Sequence, residues 1–236
     1  MIRVALFGAG KMAEAIAVTA SPEVSVQISA IVSRRPPAWN ESIPHVPALD
    51  KLGQSPEVLI DFSLPDGTAQ AAAWCRRHRV PLLSGVTGLS PDTHELLVLT
   101  AQEAAVLWSP NLSIGVNVLA HLCGRVAATV GPAAEVRIED IHHQSKRDAP
   151  SGTALMLGET IRRHWPSGLL KIDYQSRREG EAIGEHRIRF TLGGEYIELT
   201  HEAIDRSIFA RGALAAAAWL VRQPAGLYTA ADWLAG

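Results

Sequence analysis

The feature that most constrains the fold is the alternation of short apolar runs with longer helical patterns over the first half of the chain. The apolar runs have the length and composition of buried strands, and the segments between them have helical length and composition. Strands joined by crossover helices pair in parallel, so the pattern predicts a parallel sheet covered by helices. The predicted strands are Ile2 to Phe7, Val26 to Val32, Val58 to Phe62, Leu82 to Ser84 and Ala105 to Trp108, and the predicted helices are Lys11 to Ala20, Thr68 to Arg79 and Pro91 to Gln102.

The pattern changes after Asn111. A long apolar helical run is followed by a segment in which apolar and polar residues alternate, as in a strand with one solvated face. Two later segments joined at Gly193-Gly194 have a hairpin signature. We therefore predict an antiparallel or mixed sheet with helices on one face. The predicted helices are Ser113 to Val130, Gly152 to Trp165 and Ile208 to Val221, and the predicted strands are Glu135 to His142, Glu185 to Leu192 and Glu195 to His201.

These two patterns predict an α/β protein with two domains. The first is a Rossmann-like, dinucleotide-binding domain formed by residues 1–112 and 209–236, because the last long helix can return to pack on the first sheet. The second is an α+β domain formed by residues 113–208, which we expect to bind the substrate.

Composition excludes several other classes of protein. The 236 residues are 47% hydrophobic and 19% charged, as in a globular protein. A formal net charge of -2 argues against a nucleic-acid partner. The chain starts directly with a strand and no apolar run approaches the length of a membrane span, so we expect a cytoplasmic protein. Cys75 and Cys123 lack metal-ligand spacing, so we expect two buried thiols and no metal.

The first strand leads directly into a glycine turn that opens a helix. In Gly8-Ala9-Gly10-Lys11-Met12-Ala13 the glycines let backbone amides approach a pyrophosphate at the helix N-terminus. Alone, this G-x-G-x-x-A pattern is weak, but its place between strand and helix favours a dinucleotide site over a merely tight turn.

The end of the second strand bears on the choice of cofactor. Ser33 and Arg34 stand where an acid would bind the ribose 2'-hydroxyl of NAD. A hydroxyl with a guanidinium can instead hold the 2'-phosphate of NADP, so we expect NADPH to be preferred and NADH to remain usable. The alternative is that the arginine belongs to a solvated loop.

The segment from His142 to Thr153 concentrates titratable and anion-binding groups between a strand and a helix. A reductase needs a proton source and a site for substrate charge, and this segment offers histidine, lysine and a helix start at Ser151-Gly152-Thr153. For any one of these residues taken alone, a strand end or a helix cap is the favoured explanation, and only the cluster as a whole favours a catalytic role. A zinc site is disfavoured, because adjacent histidines on a strand point to opposite faces.

The chain resembles the dihydrodipicolinate reductase (4-hydroxy-tetrahydrodipicolinate reductase) family of bacterial lysine and diaminopimelate synthesis. The family signature E-x-H-H-x-x-K-x-D-A-P-S-G-T matches the run from Glu139 to Thr153, apart from the spacing of the first acid. Further matches extend over nearly the whole chain. They are Asp61-Phe62-Ser63, Pro65-Asp66-Gly67-Thr68, Gly85-Val86-Thr87-Gly88, the run from Ser109 to Asn117, Gly184-Glu185-His186 and Thr200-His201.

The resemblance implies an NAD(P)H-dependent reduction of 4-hydroxy-tetrahydrodipicolinate by a homotetramer assembled through the second domain. Hydride would reach ring C4 and a proton would reach C3. The implied catalytic residues are His142 and Lys146, and the implied substrate contacts are His143, Ser151, Gly152 and Thr153. The cofactor residues expected from the fingerprint and the resemblance are Gly8, Gly10, Lys11, Met12, Ser33, Arg34, Gly85, Val86, Thr87, Ser109, Pro110, Asn111 and Leu112.

The chain departs from the family pattern at three places. The glycine turn is one residue shorter and ends in Ala13, and Val86 replaces a threonine. The stretch between Trp165 and Gly184 lacks a T-G-x-R segment, which puts the contacts made by that segment in doubt.

Two other functions fit parts of the pattern. A dehydrogenase of the aspartate dehydrogenase or sugar oxidoreductase type would share the fingerprint and the two-domain plan, but not the signature around His142. A non-catalytic NADP-sensing regulator would be expected to lose Lys146 or His142, and both are present.

Overall fold

The computed structural model describes residues 1–21, 25–40, 42–144, 146–168 and 170–235. It divides into two compact units, Met1–Ser113 with Ser207–Gly236, and Ile114–Arg206. The strands are β1 (Ile2–Phe7), β2 (Val26–Val32), β3 (His45–Val46), β4 (Val58–Asp61), β5 (Leu82–Ser84), β6 (Ala105–Trp108), β7 (Ala134–His142), β8 (Ile172–Arg178), β9 (Gly184–Leu192), β10 (Glu195–Ala203) and β11 (Gly226–Tyr228). The helices are α1 (Lys11–Thr19), α2 (Pro65–His78), α3 (Pro91–Thr100), α4 (Ile114–Val130), α5 (Gly152–His164), α6 (Ser207–Leu220) and α7 (Ala230–Ala235), with 3-10 turns at Leu49–Lys51 and Gly131–Ala133.

The first unit contains the predicted parallel sheet. Its described strands lie in the order β11-β6-β5-β4-β1-β2-β3, and neighbouring strands pair in parallel. The chain starts at β1, extends to β3 on one side, and then crosses to β4 on the other. Sheets of this kind bind ligands where the strand order reverses, beyond the carboxyl ends of the strands. The prediction of a Rossmann-like fold is confirmed.

Both faces of this sheet are buried. Val4 and Leu6 point into a core shared with α1 and α6, and Ala5 points into a second core shared with α2 and α3. This alternation explains why β1 is a continuous apolar run in the sequence. Helix α2 begins at Pro65, three residues before the predicted start, because proline is well suited to the first turn of a helix.

The second unit contains a mixed sheet in the order β10-β9-β7-β8. Strand β7 pairs antiparallel with β9 and parallel with β8. Residues of α4 and α5, such as Leu119 and Leu157, pack with Ile138, Ile188 and Phe190 in one core. The prediction of a mixed sheet with helices on one face is confirmed.

Strand β8 was not predicted. Its sequence, Ile172 to Arg178, has few apolar residues, so it gives no hydrophobic run. The short strands β3 and β11 and helix α7 were also missed, because elements of two to six residues give too little periodicity.

Both cysteines are buried free thiols, as expected. Cys75 is a buried residue of α2 in the core of the first unit, and Cys123 lies in the core of the second unit. Burial raises the pKa of Cys123 to about 12, so its thiol is protonated at neutral pH.

One described helix, Ile114–Ala133 including its 3-10 turn, is long and apolar enough to cross a membrane, with a mean hydropathy of 1.3. The expectation that no apolar run approaches this length was therefore wrong. Leu119, Cys123 and Ala127 of this helix are buried in the core of the second unit. A helix buried in a protein core can be equally long and apolar.

Candidate active site

The glycine turn after β1 lines a pocket of about 780 Å³ in the first unit. Gly8 has a φ of +113°, and a Cβ there would lie 2.5 Å from the Phe62 carbonyl oxygen, so the fold excludes a side chain. A Cβ at Gly10 meets no atom within 4 Å in the described structure, which leaves open space beside the start of α1. Lys11 and Met12 are not among the residues that line the pocket; Lys11 is exposed and Met12 packs against the core.

Ser33 and Arg34 line the same pocket, directly after β2. The Ser33 hydroxyl lies 3.2 Å from His45 Nε2. Arg77 and Asp50 also line the pocket and form an exposed ion pair of 3.2 Å. The pocket is therefore lined by two guanidinium groups, by the hydroxyls of Ser33 and Ser63, and by the carboxylates of Asp50 and Asp66.

The remaining predicted cofactor residues follow the neighbouring strands β5 and β6. Gly85, Val86 and Thr87 come after β5, and the run from Ser109 to Leu112, which includes Pro110 and Asn111, comes after β6. The two segments are linked, because Trp108 Nε1 donates to the Val86 carbonyl oxygen at 2.8 Å. Both lie at the carboxyl edge of the sheet, and neither is among the residues that line the pocket at the glycine turn.

Asp61 ties the ends of β4 and β5 together at this edge. Its buried carboxylate accepts hydrogen bonds from Ser63 Oγ (2.6 Å), Thr68 Oγ1 (2.7 Å) and Ser84 Oγ (3.0 Å). Burial raises the pKa of Asp61, although these hydrogen bonds oppose the rise. Ser84 Oγ also accepts from Val86 N at 3.3 Å. The matched D-F-S and G-T residues therefore fix the backbone of the segment after β5.

In the second unit, polar side chains form a row across one end of the sheet. Asp140 on β7 lies opposite Ser176 on β8 and His186 on β9, and His186 lies opposite His201 on β10. Side chains that face one another across strands lie on the same face of a sheet. Asp140 and His186 are buried, so this end of the helix-covered face is polar although the rest of that face is apolar.

His142 lies beside this row, two residues after Asp140 on the same strand. Its Nδ1 is 3.0 Å from Asp140 Oδ1, and its ring makes an edge contact with His186 at 5.3 Å between centroids. The space for the ring is provided by Gly184 on β9, where a Cβ would lie 3.1 Å from His142 Nε2. The acid that accompanies His142 is therefore Asp140. The signature match placed this acid at Glu139, whose carboxylate instead pairs with arginines on β8 and β9.

Burial, hydrogen bonds and neighbouring charges determine the pKa values of Asp140 and His142. Burial opposes ionisation of Asp140, but hydrogen bonds from Ser176 and Ser151 and the charge of Arg178 outweigh it and lower the pKa of the carboxyl. Burial and the positive charge of Lys146 lower the pKa of His142, although Asp140 acts in the opposite direction. His142 is therefore neutral at pH 7, with Nδ1 the nitrogen that faces the carboxylate.

Ser151, Gly152 and Thr153 form the start of α5. The Ser151 side chain caps the helix by accepting from Ala154 N at 3.1 Å, and its own N–H donates to Asp140 Oδ2 at 3.3 Å. Ser151 Oγ is also 3.2 Å from His186 Nε2. Gly152 is exposed, so a ligand can approach the helix N-terminus closely.

Lys146 lies in the loop between β7 and α5. Its Nζ forms an ion pair with Asp148 Oδ1 at 2.8 Å, and its side chain is 23% exposed. His143, directly after β7, is half-buried. The second unit thus brings together His142, Lys146 and the start of α5, all named from the sequence.

Sequence reasoning missed Asp140, Ser176, Arg178 and His186 as members of the cluster. Asp140 could have been found, because a residue two positions before His142 shares its face of a strand. The other three could not, since their places depend on β8 and on the register of β9.

Comparison with known proteins gives matches over nearly the whole chain. The family model described as dihydrodipicolinate reductase, N-terminus, matches residues 2–112, and that described as dihydrodipicolinate reductase, C-terminus, matches residues 115–234. A curated relative from Xanthomonas euvesicatoria pv. vesicatoria (strain 85-10), named 4-hydroxy-tetrahydrodipicolinate reductase, is 42% identical over 236 residues, which cover 98% of this chain and 97% of the relative. A relative of the same name from Anaeromyxobacter sp. (strain Fw109-5) is 40% identical over 198 residues, covering 75% and 73%.

Solved structures are similar in fold. The dipicolinate-bound dihydrodipicolinate reductase from Paenisporosarcina sp. TG-14 has a TM-score of 0.82 at 24% identity, with 97% of each chain covered. A myo-inositol dehydrogenase from Corynebacterium glutamicum ATCC 13032 has a TM-score of 0.65 at 14% identity, covering 96% of this chain and 90% of its own. An aspartate dehydrogenase from Thermotoga maritima has a TM-score of 0.52 at 13% identity, covering 91% and 94%. Because dehydrogenases of several kinds share this fold, the fold does not distinguish their substrates.

Proposed function

Because the chain belongs to the dihydrodipicolinate reductase family, we propose that it reduces 4-hydroxy-tetrahydrodipicolinate to tetrahydrodipicolinate in diaminopimelate and lysine synthesis. Membership of this family makes the chain an oxidoreductase with a nucleotide-binding fold in its first unit. The observation that best supports this substrate assignment is the complete signature from His142 to Thr153. The row of polar side chains around Asp140 supports it further.

We assign the cofactor to the glycine-turn pocket and to the segments that follow β5 and β6. A bound nicotinamide dinucleotide supplies the hydride that reduces ring C4. Gly10 leaves space for a pyrophosphate at the start of α1, and Ser33 and Arg34 are suited to a 2'-phosphate. We assign the run from Ser109 to Leu112 to the nicotinamide side.

We assign proton transfer and substrate binding to the second unit. The hydroxylated ring first loses water, which leaves a C3–C4 double bond. When C4 of that bond accepts hydride, C3 needs a proton, and the Lys146 ammonium or His142 supplies it. Asp140 lies against His142 and would stabilise its protonated form, whereas Lys146 forms an ion pair with Asp148. The helix start at Ser151, Gly152 and Thr153, with His143, binds the carboxylates of the substrate.

The reaction is tested by NADPH oxidation in the presence of freshly generated 4-hydroxy-tetrahydrodipicolinate. We expect the absorbance of NADPH to fall only when substrate is present. An unchanged absorbance, under conditions in which an established reductase consumes NADPH, contradicts the proposal. Activity with aspartate or a sugar instead would favour the dehydrogenases that share the fold, and cofactor binding without turnover would favour a regulator.

We propose that NADPH is the preferred cofactor. Arg34 and Arg77 both line the pocket, and a 2'-phosphate adds negative charge that they can pair with. We expect calorimetry at low salt to give a lower dissociation constant for NADPH than for NADH. Because the contacts are ionic, the difference should shrink as salt is added. Equal dissociation constants at low salt would show that these arginines are a solvated surface.

A further inference from the structure

Arg178, the last residue of β8, contacts three separate segments of the second unit. Its Nη1 donates to Asp140 Oδ1 at 3.2 Å, and its Nε donates to the Lys146 carbonyl oxygen at 3.2 Å. Its Nη2 donates to the Asp148 carbonyl oxygen. Nη1 also donates to the carbonyl oxygen of Arg177 at 2.7 Å, which holds the guanidinium against its own strand. One side chain therefore joins β7, β8 and the loop that carries Lys146.

These contacts use the shape of the guanidinium as well as its charge. Three nitrogens in one rigid plane donate to acceptors on different segments, which a lysine ammonium on a flexible stem does not reproduce. The side chain of Arg178 is 20% exposed and that of Asp140 is 1% exposed, so water and salt screen this ion pair little.

Resting on the proposed function, we infer that Arg178 is a positioning residue that fixes Lys146 and His142 relative to one another. It acts on Lys146 through the backbone on both sides of the Lys146–Asp148 ion pair, and on His142 through Asp140. The contacts of Arg178 described above are all with other parts of the protein, so its role does not depend on touching the substrate. Its loss should therefore disturb catalysis more than cofactor binding.

The neighbouring residue provides a matched control. Arg177 is also an arginine on β8, but its side chain lies on the opposite face of the strand. It pairs with Glu139 at 2.7 Å and Glu179 at 3.8 Å, and it is 55% exposed. Arg177→Gln removes comparable charge and ion pairs from the same strand without touching Asp140 or the Lys146 loop.

The experiment compares Arg178→Gln, Arg178→Lys and Arg177→Gln with the unmodified protein. We expect kcat of Arg178→Gln to fall on the order of 10²-fold, because a small misplacement of catalytic groups has an effect of this size. The dissociation constant of NADPH should not change. Arg178→Lys should stay impaired, since it restores charge but not the planar set of donors, and Arg177→Gln should keep its turnover. If Arg178→Gln does not fold, the comparison of Arg178→Lys with Arg177→Gln tests the inference.

A measurement without substrate separates this inference from the proposed function. We expect backbone amide hydrogen exchange of residues 146–149 to be faster in Arg178→Gln and unchanged in Arg177→Gln. Turnover in either Arg178 variant equal to that of Arg177→Gln overturns the inference, and so does unchanged exchange in that loop. If the unmodified protein is inactive while exchange responds as expected, the substrate assignment fails and the ordering of the loop by Arg178 stands.

Discussion

At the scale of single residues, the cluster in the second unit contains two candidate proton donors in different surroundings. His142 is held neutral by burial and by the charge of Lys146, whereas Lys146 is paired with Asp148. A general acid must hold a proton before the transition state and release it during the reaction. Because the surroundings of His142 favour its neutral form, the sharpest residue-scale test concerns Lys146.

Lys146→Ala should lower kcat by about 10²- to 10⁴-fold, the usual size of general acid catalysis, with little change in NADPH affinity. A surface lysine without this role would alter stability slightly and kinetics hardly at all. The measurement is steady-state kinetics at saturating NADPH, with thermal melts to exclude misfolding. Near-normal turnover would remove Lys146 from the catalytic residues and leave His142 as the candidate acid.

Thr153→Val is the companion variant and should behave differently. A hydroxyl that holds a substrate carboxylate contributes equally to binding in the ground state and the transition state, so its loss should raise KM and leave kcat nearly unchanged. The same kinetic assay measures both constants. A fall in kcat with KM unchanged would contradict a binding role for Thr153.

His186 gives a prediction about stability and pH. Burial lowers the pKa of His186 from 6.5 to about 4 in the folded protein. Between these values the unfolded chain binds a proton that the folded protein does not, so stability falls as the pH drops from 6.5 towards 4. The contribution of His186 is about 3 kcal/mol. Burial also lowers the pKa values of His142 and His201 from 6.5, so these groups act in the same direction, whereas burial raises the pKa of Asp61 from 3.8 and acts in the opposite direction.

His186→Gln should flatten the dependence of unfolding free energy on pH in this window. Urea unfolding at several pH values measures it. His121→Gln, at an exposed position on α4, is the control and should leave the slope as it is in the unmodified protein. An identical slope in all three proteins would mean that His186 is protonated in the folded state.

At the scale of elements, the sequence predicted strands and helices where periodicity was strong. β1, β2, β5 and β6 begin and end at the predicted residues, because strands of a helix-covered parallel sheet are predominantly apolar. β8 could not be predicted, because it is mostly polar and gives no hydrophobic run. Its residues reach the cluster only because β8 pairs with β7. The contacts of Arg178 were therefore beyond sequence reasoning, whereas His142, Lys146 and Ser151 were within it because they lie in one continuous segment.

The two glycines of the turn after β1 have different roles: Gly8 is required by the fold, and Gly10 is expected to be required by the cofactor. Gly8→Ala should destabilise the protein on the order of 2 kcal/mol, because the new Cβ meets the Phe62 carbonyl at a strained backbone conformation. Gly10→Ala has open space and should fold normally, but it should weaken NADPH binding on the order of tenfold by obstructing the pyrophosphate. Thermal melts and calorimetry measure the two effects. Unchanged NADPH affinity in Gly10→Ala would contradict a close approach of the cofactor at this position.

At the scale of the whole molecule, family membership suggests an assembly larger than one chain. We expect a homotetramer formed through the sheet of the second unit, in which β10 has the exposed side chains of Tyr196 and Ile197. Light scattering at working concentration measures the mass directly. Tyr196→Glu should lower the mass of the assembly, because it places a charge in that interface. Val18→Glu, at an exposed position on α1, is the control and should leave the mass unchanged. A monomer would contradict the expected tetramer.

The first unit is built from two distant parts of the chain, and this arrangement affects how the protein is made. A ribosome delivers β1 to β6 first, then all of Ile114–Arg206, and only afterwards α6. Until α6 emerges, Val4, Leu6 and Leu83 lack the helix that covers them in the finished core. The second unit is contiguous and can complete its contacts during that interval. Synthesis therefore favours folding of the second unit first, and leaves one apolar face of the first sheet available to chaperones for the time that translation of the second unit takes.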